Sequence, residues 1–382
     1  MTEKSFFKKA TFNQQVIFFA MGVLMAIFSI YLTSHYFSAK YPTGFEAGSI
    51  CNISSFFNCD ATTLSAFGNI AGIPISIFGI LMGLFVSLSF LTKSEETEGT
   101  LYTILAVNVV GCVVLFLYSL IGLGHLCPMC SLYYVCSIIA FALLHKLSDC
   151  RSIAPKHLSI YAVSTLVVAG ASFGMINNWE GKHEQRAQQL VKMFNELQSL
   201  GAPEKSSPFR LVSSTEKFTD APIQFSIFSD FQCPACNAFN KIIPKIKERY
   251  KGKINIQYFF YPLDHNCNPS MDRPLHTLAC KAAYFASCAG PEKFARIHDE
   301  IFEAQSSLSE TWINDYAKKL NVTECMNKPE TKQAVVDMIN QADSFTVKST
   351  PTQLLNGVKI EGVRQLRDYY AFMDDILKKA GK

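Results

Sequence analysis

Five apolar runs, residues 16–37, 70–91, 101–123, 129–147 and 158–176, each reach about the 20 residues needed to cross a bilayer core. Charges are sparse up to residue 176 and recur every few residues from Glu180 onward, so the chain divides into a membrane half and a soluble half. Averaged over both, 49% apolar and only 17% charged residues leave too little charge for a disordered chain or an ordinary soluble enzyme. The spacing predicts five transmembrane helices. A cleavable signal peptide is the alternative for the first run. Its apolar stretch exceeds the ~7–15 residues of such a segment, and no small-residue cleavage site closes it.

Lys and Arg mark the cytoplasmic loops of membrane proteins. Lys4, Lys8 and Lys9 precede the first run, Lys93 follows the second, and Lys146, Arg151 and Lys156 follow the fourth. The loop over residues 38–69 holds only Lys40, and the turn over residues 122–130 holds no cation. The expected topology has a cytoplasmic N-terminus and places both of these loops, and everything after Trp179, outside. The net charge of +4 is not clustered and accompanies no recognition motif, which argues against nucleic acid as a partner.

Thirteen cysteines, seven in the apolar half and six in the soluble half, point to thiol chemistry. Beyond the fifth run, residues 182–200 have helical spacing, and Gly201-Ala202-Pro203-Glu204-Lys205-Ser206-Ser207-Pro208 reads as a boundary. The predicted order after it is strand (223–228), helix after Cys233, strand (254–260), several helices within 275–341, strand (353–355) and a last helix (364–379). Cys233-Pro234-Ala235-Cys236 falls at a strand-to-helix junction. There the helix N-terminus stabilises an anion, so Cys233 is the expected attacking thiolate and Cys236 the resolving thiol. Zinc would call for a second CxxC ~15–20 residues away. The other CxxC lies in a membrane run, and no metal is expected.

With Asp230-Phe231-Gln232 before this motif, and Thr350-Pro351-Thr352 before the third strand, residues 209–380 resemble the DsbA-like branch of the thioredoxin superfamily. The resemblance implies a helical insertion in a thioredoxin core and a cis Pro351 facing the reactive cysteine. Ala235 departs from the His that strongly oxidising members often carry. Cys267, Cys280, Cys288 and Cys325 remain. If the segment is helical, Cys280 and Cys288 stand about 12 Å apart, beyond the ~5.5 Å Cα spacing of a disulfide. Two connectivities remain, of which Cys267–Cys280 with Cys288–Cys325 is favoured.

Cys127-Pro128-Met129-Cys130 opens the fourth run on the outer side, where a lipid-soluble partner can reach it. Cys51 and Cys59 lie in a Ser, Asn and Phe-rich loop that reads as too polar to bury; a static loop staple is the plain alternative for them. Together with Ser65, Ser76-Ile77-Phe78-Gly79 and Tyr134, over residues 15–146, these cysteines resemble the vitamin K epoxide reductase family. The resemblance implies that Cys127 and Cys130 reduce a quinone (ubiquinone or menaquinone) and that Cys51 and Cys59 relay electrons. It makes Ser65, Phe78 and Tyr134 ligand contacts. Ile75 stands where animal members carry Asn, which favours quinone over epoxide reduction. Cys112 and Cys136 match no family position and read as small apolar residues; Cys150 matches none either.

The expectation is therefore a four-helix membrane domain (1–150), a fifth transmembrane helix with linker (151–208) and a DsbA-like thioredoxin-fold domain (209–382). Bacterial fusions of these two families imply an enzyme of the cytoplasmic membrane that oxidises dithiols of secreted or periplasmic proteins and passes the electrons to a membrane quinone. Two rival readings are an extracytoplasmic reductase or isomerase running in the opposite direction, and a tethered binding module without catalysis.

Overall fold

The structure, a computed structural model, describes residues 5–44, 51, 54, 56–273 and 275–381. Two units part between Glu184 and Gln185. The first holds α1 (Phe6–Lys9), α2 (Phe12–Lys40), α3 (Cys59–Thr63), a hairpin of β1 (Asn69–Ile70) and β2 (Ile73–Pro74), α4 (Ile75–Thr92), α5 (Glu95–Leu117), α6 (Pro128–Leu147) and most of α7 (Pro155–Glu196). α5 runs on as a π-helical turn, Tyr118–Leu123. Five of these helices, α2, α4, α5 with its π turn, α6 and α7, are long and apolar enough to cross a membrane.

Large apolar side chains such as Leu91, Val107 and Ile121 are 76%, 68% and 78% exposed, the pattern expected where lipid replaces water as the solvent. With no hydrophobic drive between such helices, close approach of backbones supplies the packing. α2 and α4 achieve it with small residues: a Cβ added at Gly83 would meet Ala26 N and Gly22 O, each at 2.6 Å. At the cation-rich end, buried Glu98 accepts from Ser5 Oγ (2.5 Å), Phe6 N (2.7 Å) and Ser148 Oγ (2.9 Å), pinning the N-terminus and the end of α6 to α5. Lys8 pairs with Glu95 at 3.4 Å, and Lys9 pairs with Asp149.

Helix ends do not coincide with the ends of the apolar runs: α4 starts at Ile75, five residues into its run, because Asn69–Ile70 pairs with Ile73–Pro74 as a hairpin. α2 begins at a Thr11 and Gln14 capping box, four residues before the first apolar run, because capping chemistry and not hydropathy starts a helix. α7 continues without interruption for 42 residues. No proline lies between Lys156 and Glu196 to stop it, so the fifth span and the helical spacing expected from residue 182 join in one helix.

The second unit is built on a five-stranded sheet, with β3 (Arg210–Ser213), β4 (Ile223–Ser229), β5 (Ile254–Phe260), β6 (Thr352–Leu355) and β7 (Val358–Glu361) in the order β3-β5-β4-β6-β7. β4 and β5 are parallel; the other neighbours are antiparallel. Central β4 and β5 are buried almost throughout, whereas edge strands β3 and β7 are four residues long with half-exposed patterns, too short for periodicity to announce them. Around the sheet lie α8 (Pro234–Asn240), α9 (Ile243–Arg249), α10 (Ala279–Cys288), α11 (Pro291–Glu303), α12 (Glu310–Lys319), α13 (Thr323–Asn327), α14 (Pro329–Ser344) and α15 (Leu366–Lys379). Cys267 bonds Cys280 and Cys288 bonds Cys325, with Cα atoms 5.9 and 5.8 Å apart, as favoured above.

Much of the expected linker is not a free tether. Phe194, at the end of α7, is buried and stacks on Phe372 with centroids 4.5 Å apart. Leu200 N then donates to Gly357 O at 2.8 Å, extending the sheet edge by one bridge from Ser199 to Val358. Gly357 takes φ +83° here, a conformation that costs glycine little.

Candidate redox-active site

In the membrane unit Pro128 occupies the first turn of α6, where its missing N–H costs nothing, and Cys127 is the N-cap residue. The Cys127 Sγ accepts from Cys130 N at 3.1 Å, so the sulfur sits over the unpaired amides of the helix start. Cys127 and Cys130 form one disulfide, Cys51 and Cys59 another, with Cα separations of 5.3 and 5.6 Å.

What brings the two pairs together is backbone. Leu126 N donates to Phe56 O (2.7 Å) and Asn58 N donates to Leu126 O (3.1 Å), a short parallel bridge immediately before both Cys59 and Cys127. The Asn58 side chain then caps α3 through Ala61 N. Cys59 Sγ consequently lies 3.2 Å from Cys127 Sγ, and the sulfurs of Cys51, Cys59 and Cys127 all fall within 4.8 Å of one another. Cys51 and Cys59 are fully buried, against Leu32 and beside Tyr31 and Met129, while Ser54, Phe56 and Phe57 of the same loop stay exposed, in line with a stretch too polar to bury. The bridge and the cap satisfy backbone groups that would otherwise need water.

Cys130 faces the bundle interior. It borders a cavity of about 710 Å³ whose walls are chiefly apolar, among them Phe78, Met82, Phe85, Leu115 and Tyr134, with Leu158, Tyr161 and Thr165 of α7 on one side. A second, smaller cavity beside it is lined by Ser65, Ser76, Cys130 and Tyr134. The three residues singled out as ligand contacts thus divide: Tyr134 borders both cavities, Phe78 only the larger and Ser65 only the smaller, where its hydroxyl donates to Thr62 O at 2.7 Å.

Asn108 was missed. It bonds Ser137 and accepts from Tyr133 OH at 3.0 Å, a polar cluster on the large cavity's wall. Nothing in its sequence surroundings marks it. Cys112 borders the same cavity, Cys136 and Cys150 are buried, and all three are free thiols.

In the soluble unit Cys233 is the N-cap residue of α8, with Pro234 next. Cys233 is 7% exposed and Cys236 1%, an order that suits an attacking and a resolving thiol. The Thr350–Pro351 bond is cis, and the Cys233 thiol donates to Thr350 O at 3.3 Å. Gln305, another residue sequence reasoning missed, clamps the loop by donating to Phe231 O (2.7 Å) and Cys233 O (3.0 Å). The hydrogen bond from Cys236 and those from Thr350 and local amides outweigh burial and bring the Cys233 thiol down from 9.0 to about 6, while burial holds Cys236 well above the ordinary thiol range.

One consequence is direct. Alkylation of Cys233 in the reduced protein should be near its plateau at about pH 7 and fall to half near pH 6, with Cys236 unreactive throughout. A midpoint near 9, read from modified peptides, would contradict the geometry. Because the folded thiol is the more acidic, the reduced form gains stability as pH rises from about 6 towards 9 and loses it as pH falls through about 6. A disulfide there has no such gradient.

Comparison with known proteins places these pairs in families. Residues 16–145 match the model of the vitamin K epoxide reductase family, and residues 218–375 match a thioredoxin family model. The probable disulfide bond formation protein D of Bacillus cereus is 24% identical over 214 residues, 52% of this chain and 86% of that protein. Disulfide bond formation protein D of Bacillus subtilis is 25% identical over 176 residues, 42% of this chain and 73% of that protein. Among solved structures, oxidised BdbD from Bacillus subtilis covers 43% of this chain and 90% of its own at 22% identity and a TM-score of 0.34. The catalytic domain of Proteus mirabilis ScsC covers 50% and 98% at 16% identity and a TM-score of 0.38. The chain is a thiol-disulfide oxidoreductase that joins a membrane domain of the vitamin K epoxide reductase family, residues 16–145, to a thioredoxin-family domain, residues 218–375.

Proposed function

We propose that this protein generates disulfide bonds in secreted or periplasmic proteins and delivers the electrons to a membrane quinone. The observation that carries the reading is the 3.2 Å approach of Cys59 to Cys127, beside an apolar cavity that Cys130 borders. Substrate dithiols reduce the Cys233–Cys236 disulfide. Cys233, as thiolate, then attacks the loop pair at Cys51, and Cys236 resolves the mixed disulfide. The freed Cys59 attacks Cys127, Cys51 re-forms its bond with Cys59, and Cys127 and Cys130 are left as thiols. Each exchange moves two electrons and conserves disulfides.

The cavity's apolar walls fit a lipid-soluble ring, with Phe78 and Tyr134 as contacts, Cys130 at its edge and Ser65 as a contact from the smaller cavity beside it. A quinone bound there supplies an acceptor for two electrons and two protons. The cis Pro351 beside Cys233 holds the substrate-facing side of the soluble site. The cation distribution, with Lys8, Lys9 and Arg151 at one end of the bundle, favours a cytoplasmic N-terminus and an extracytoplasmic thioredoxin-like domain in a bacterial cytoplasmic membrane.

Direction is tested in growing cells by trapping thiols with acid and a maleimide. Cys233 and Cys236 should be found mostly oxidised at steady state. A mostly reduced pair would favour the opposite flow, a reductase or isomerase.

A further inference from the structure

Ala235 leaves the CxxC loop without a histidine of its own, yet one reaches the motif from 40 residues downstream of Cys236. Asp230, three residues before Cys233, carries a carboxylate with no exposed surface. Its Oδ2 accepts from His276 Nδ1 at 2.8 Å and from Leu263 N at 2.7 Å, and its Oδ1 accepts from Gln232 N at 2.6 Å. The same residue's backbone touches both cysteines: its carbonyl accepts from Cys233 N (3.1 Å), and its amide donates to Cys236 Sγ (3.5 Å). His276 is in turn anchored to the motif, because Leu278 N donates to Gln232 Oε1 at 2.6 Å and His276 N donates to Leu263 O at 3.0 Å.

A buried carboxylate needs a cation, and His276 is the one that meets Asp230. With Nδ1 donating to the carboxylate, Nε2 is left to hold the second proton. The hydrogen bond that His276 donates to Asp230, against burial, which lowers it, together with the negative charges of Asp230 and the Cys233 thiolate, raises the His276 pKa. The titratable groups acting on this imidazole are therefore Asp230 and Cys233, with Cys236 behind the Asp230 amide.

We propose that His276, held by Asp230, is the charge partner of the Cys233 thiolate and sets how strongly the Cys233–Cys236 pair oxidises its substrates. The imidazolium stabilises the thiolate and has nothing to stabilise in the neutral disulfide, so it favours the reduced state and makes the disulfide the stronger oxidant. Reduction by two glutathione thiols yields one glutathione disulfide, the Cys233 thiolate, the Cys236 thiol and one released proton. The proposal rests on Cys233 and Cys236 being the exchanging pair.

The test uses the full chain in detergent, equilibrated with glutathione buffers, with the redox state of the Cys233–Cys236 peptide read by mass spectrometry. For His276→Gln the equilibrium constant for oxidising glutathione should fall about tenfold, equivalent to about 30 mV for a two-electron couple. The alkylation midpoint of Cys233 should move upward by about one pH unit. His276→Lys, which keeps the cation, should recover most of both. A folded His276→Gln protein with an unchanged equilibrium and midpoint would overturn the proposal and leave His276 a tether.

Should the variant not fold, the wild type decides. By reciprocal linkage, His276 must titrate at higher pH in reduced than in oxidised protein, read by NMR of histidine-labelled chain; equal midpoints would overturn the proposal. A wild-type pair that does not exchange with glutathione at all would instead overturn the functional reading beneath it.

Discussion

Replacing Cys127 or Cys130 with alanine should bring thiol-driven quinone reduction to the uncatalysed background, while each variant, isolated with Cys233–Cys236 oxidised, still oxidises one equivalent of a model dithiol. The asymmetry follows from the position of the pairs. Cys130 borders the bundle cavity and is bonded to Cys127, whereas Cys233 and Cys236 lie at their own α8 site, which the substitution does not touch. Residues that act as one unit in a reaction lose nearly the whole rate when any member is removed, so the two single variants should be about equally inactive. Quinol formation is followed by absorbance and single-equivalent oxidation by thiol counting. Normal quinone reduction in either variant would remove the membrane pair from the reaction.

The second large effect is the trapping of relay intermediates. A mixed disulfide persists when both resolving thiols are gone. With Cys59 beside Cys127, Cys51 is left to receive Cys233. With oxidised glutathione supplied in each case to accept the two electrons that pairing two single thiols releases, the doubly substituted Cys236→Ala, Cys59→Ala chain should therefore accumulate a bond between Cys233 and Cys51 in most molecules. Cys51→Ala with Cys130→Ala should instead accumulate Cys59 bonded to Cys127, a pair already at 3.2 Å. Non-reducing peptide mapping distinguishes these products. A Cys233–Cys59 bond would invert the order of the loop pair, and the absence of any trapped species would make Cys51–Cys59 a static staple.

The features read from sequence are those in which each signal is local. A run of about 20 apolar residues is sufficient evidence for a span, and α2, α4, α5, α6 and α7 all contain one. Cys-Pro-x-Cys carries its own N-cap and first-turn proline, so both Cys127 and Cys233 were placed at helix starts from spacing alone. β4 and β5 were legible because fully buried parallel strands read as unbroken apolar runs.

What escaped depends on partners far away in the chain. His276 meets Asp230 across 46 residues, Gln305 meets Cys233 across 72, and Asn108 meets Ser137 across 29. Each is an ordinary polar residue until the fold closes. That Cys51 and Cys59 are buried while Ser54, Phe56 and Phe57 of their loop stay exposed escaped for a related reason: the bridge from Phe57 to Leu126 that carries Cys59 to Cys127 is tertiary. The join between the fifth span and the helix expected from residue 182 was not legible because hydropathy ends at the membrane edge and helical hydrogen bonding does not.

The central claim is that substrate electrons cross three cysteine pairs to a quinone, and the most direct measurement is anaerobic turnover of the purified full chain with a reduced dithiol protein and a water-soluble quinone. The account predicts one quinol formed for each disulfide made, with Cys51→Ala abolishing quinol formation although Cys233 and Cys236 remain intact. Disulfide formation without matching quinol, or undiminished quinol formation in the Cys51→Ala chain, would contradict it.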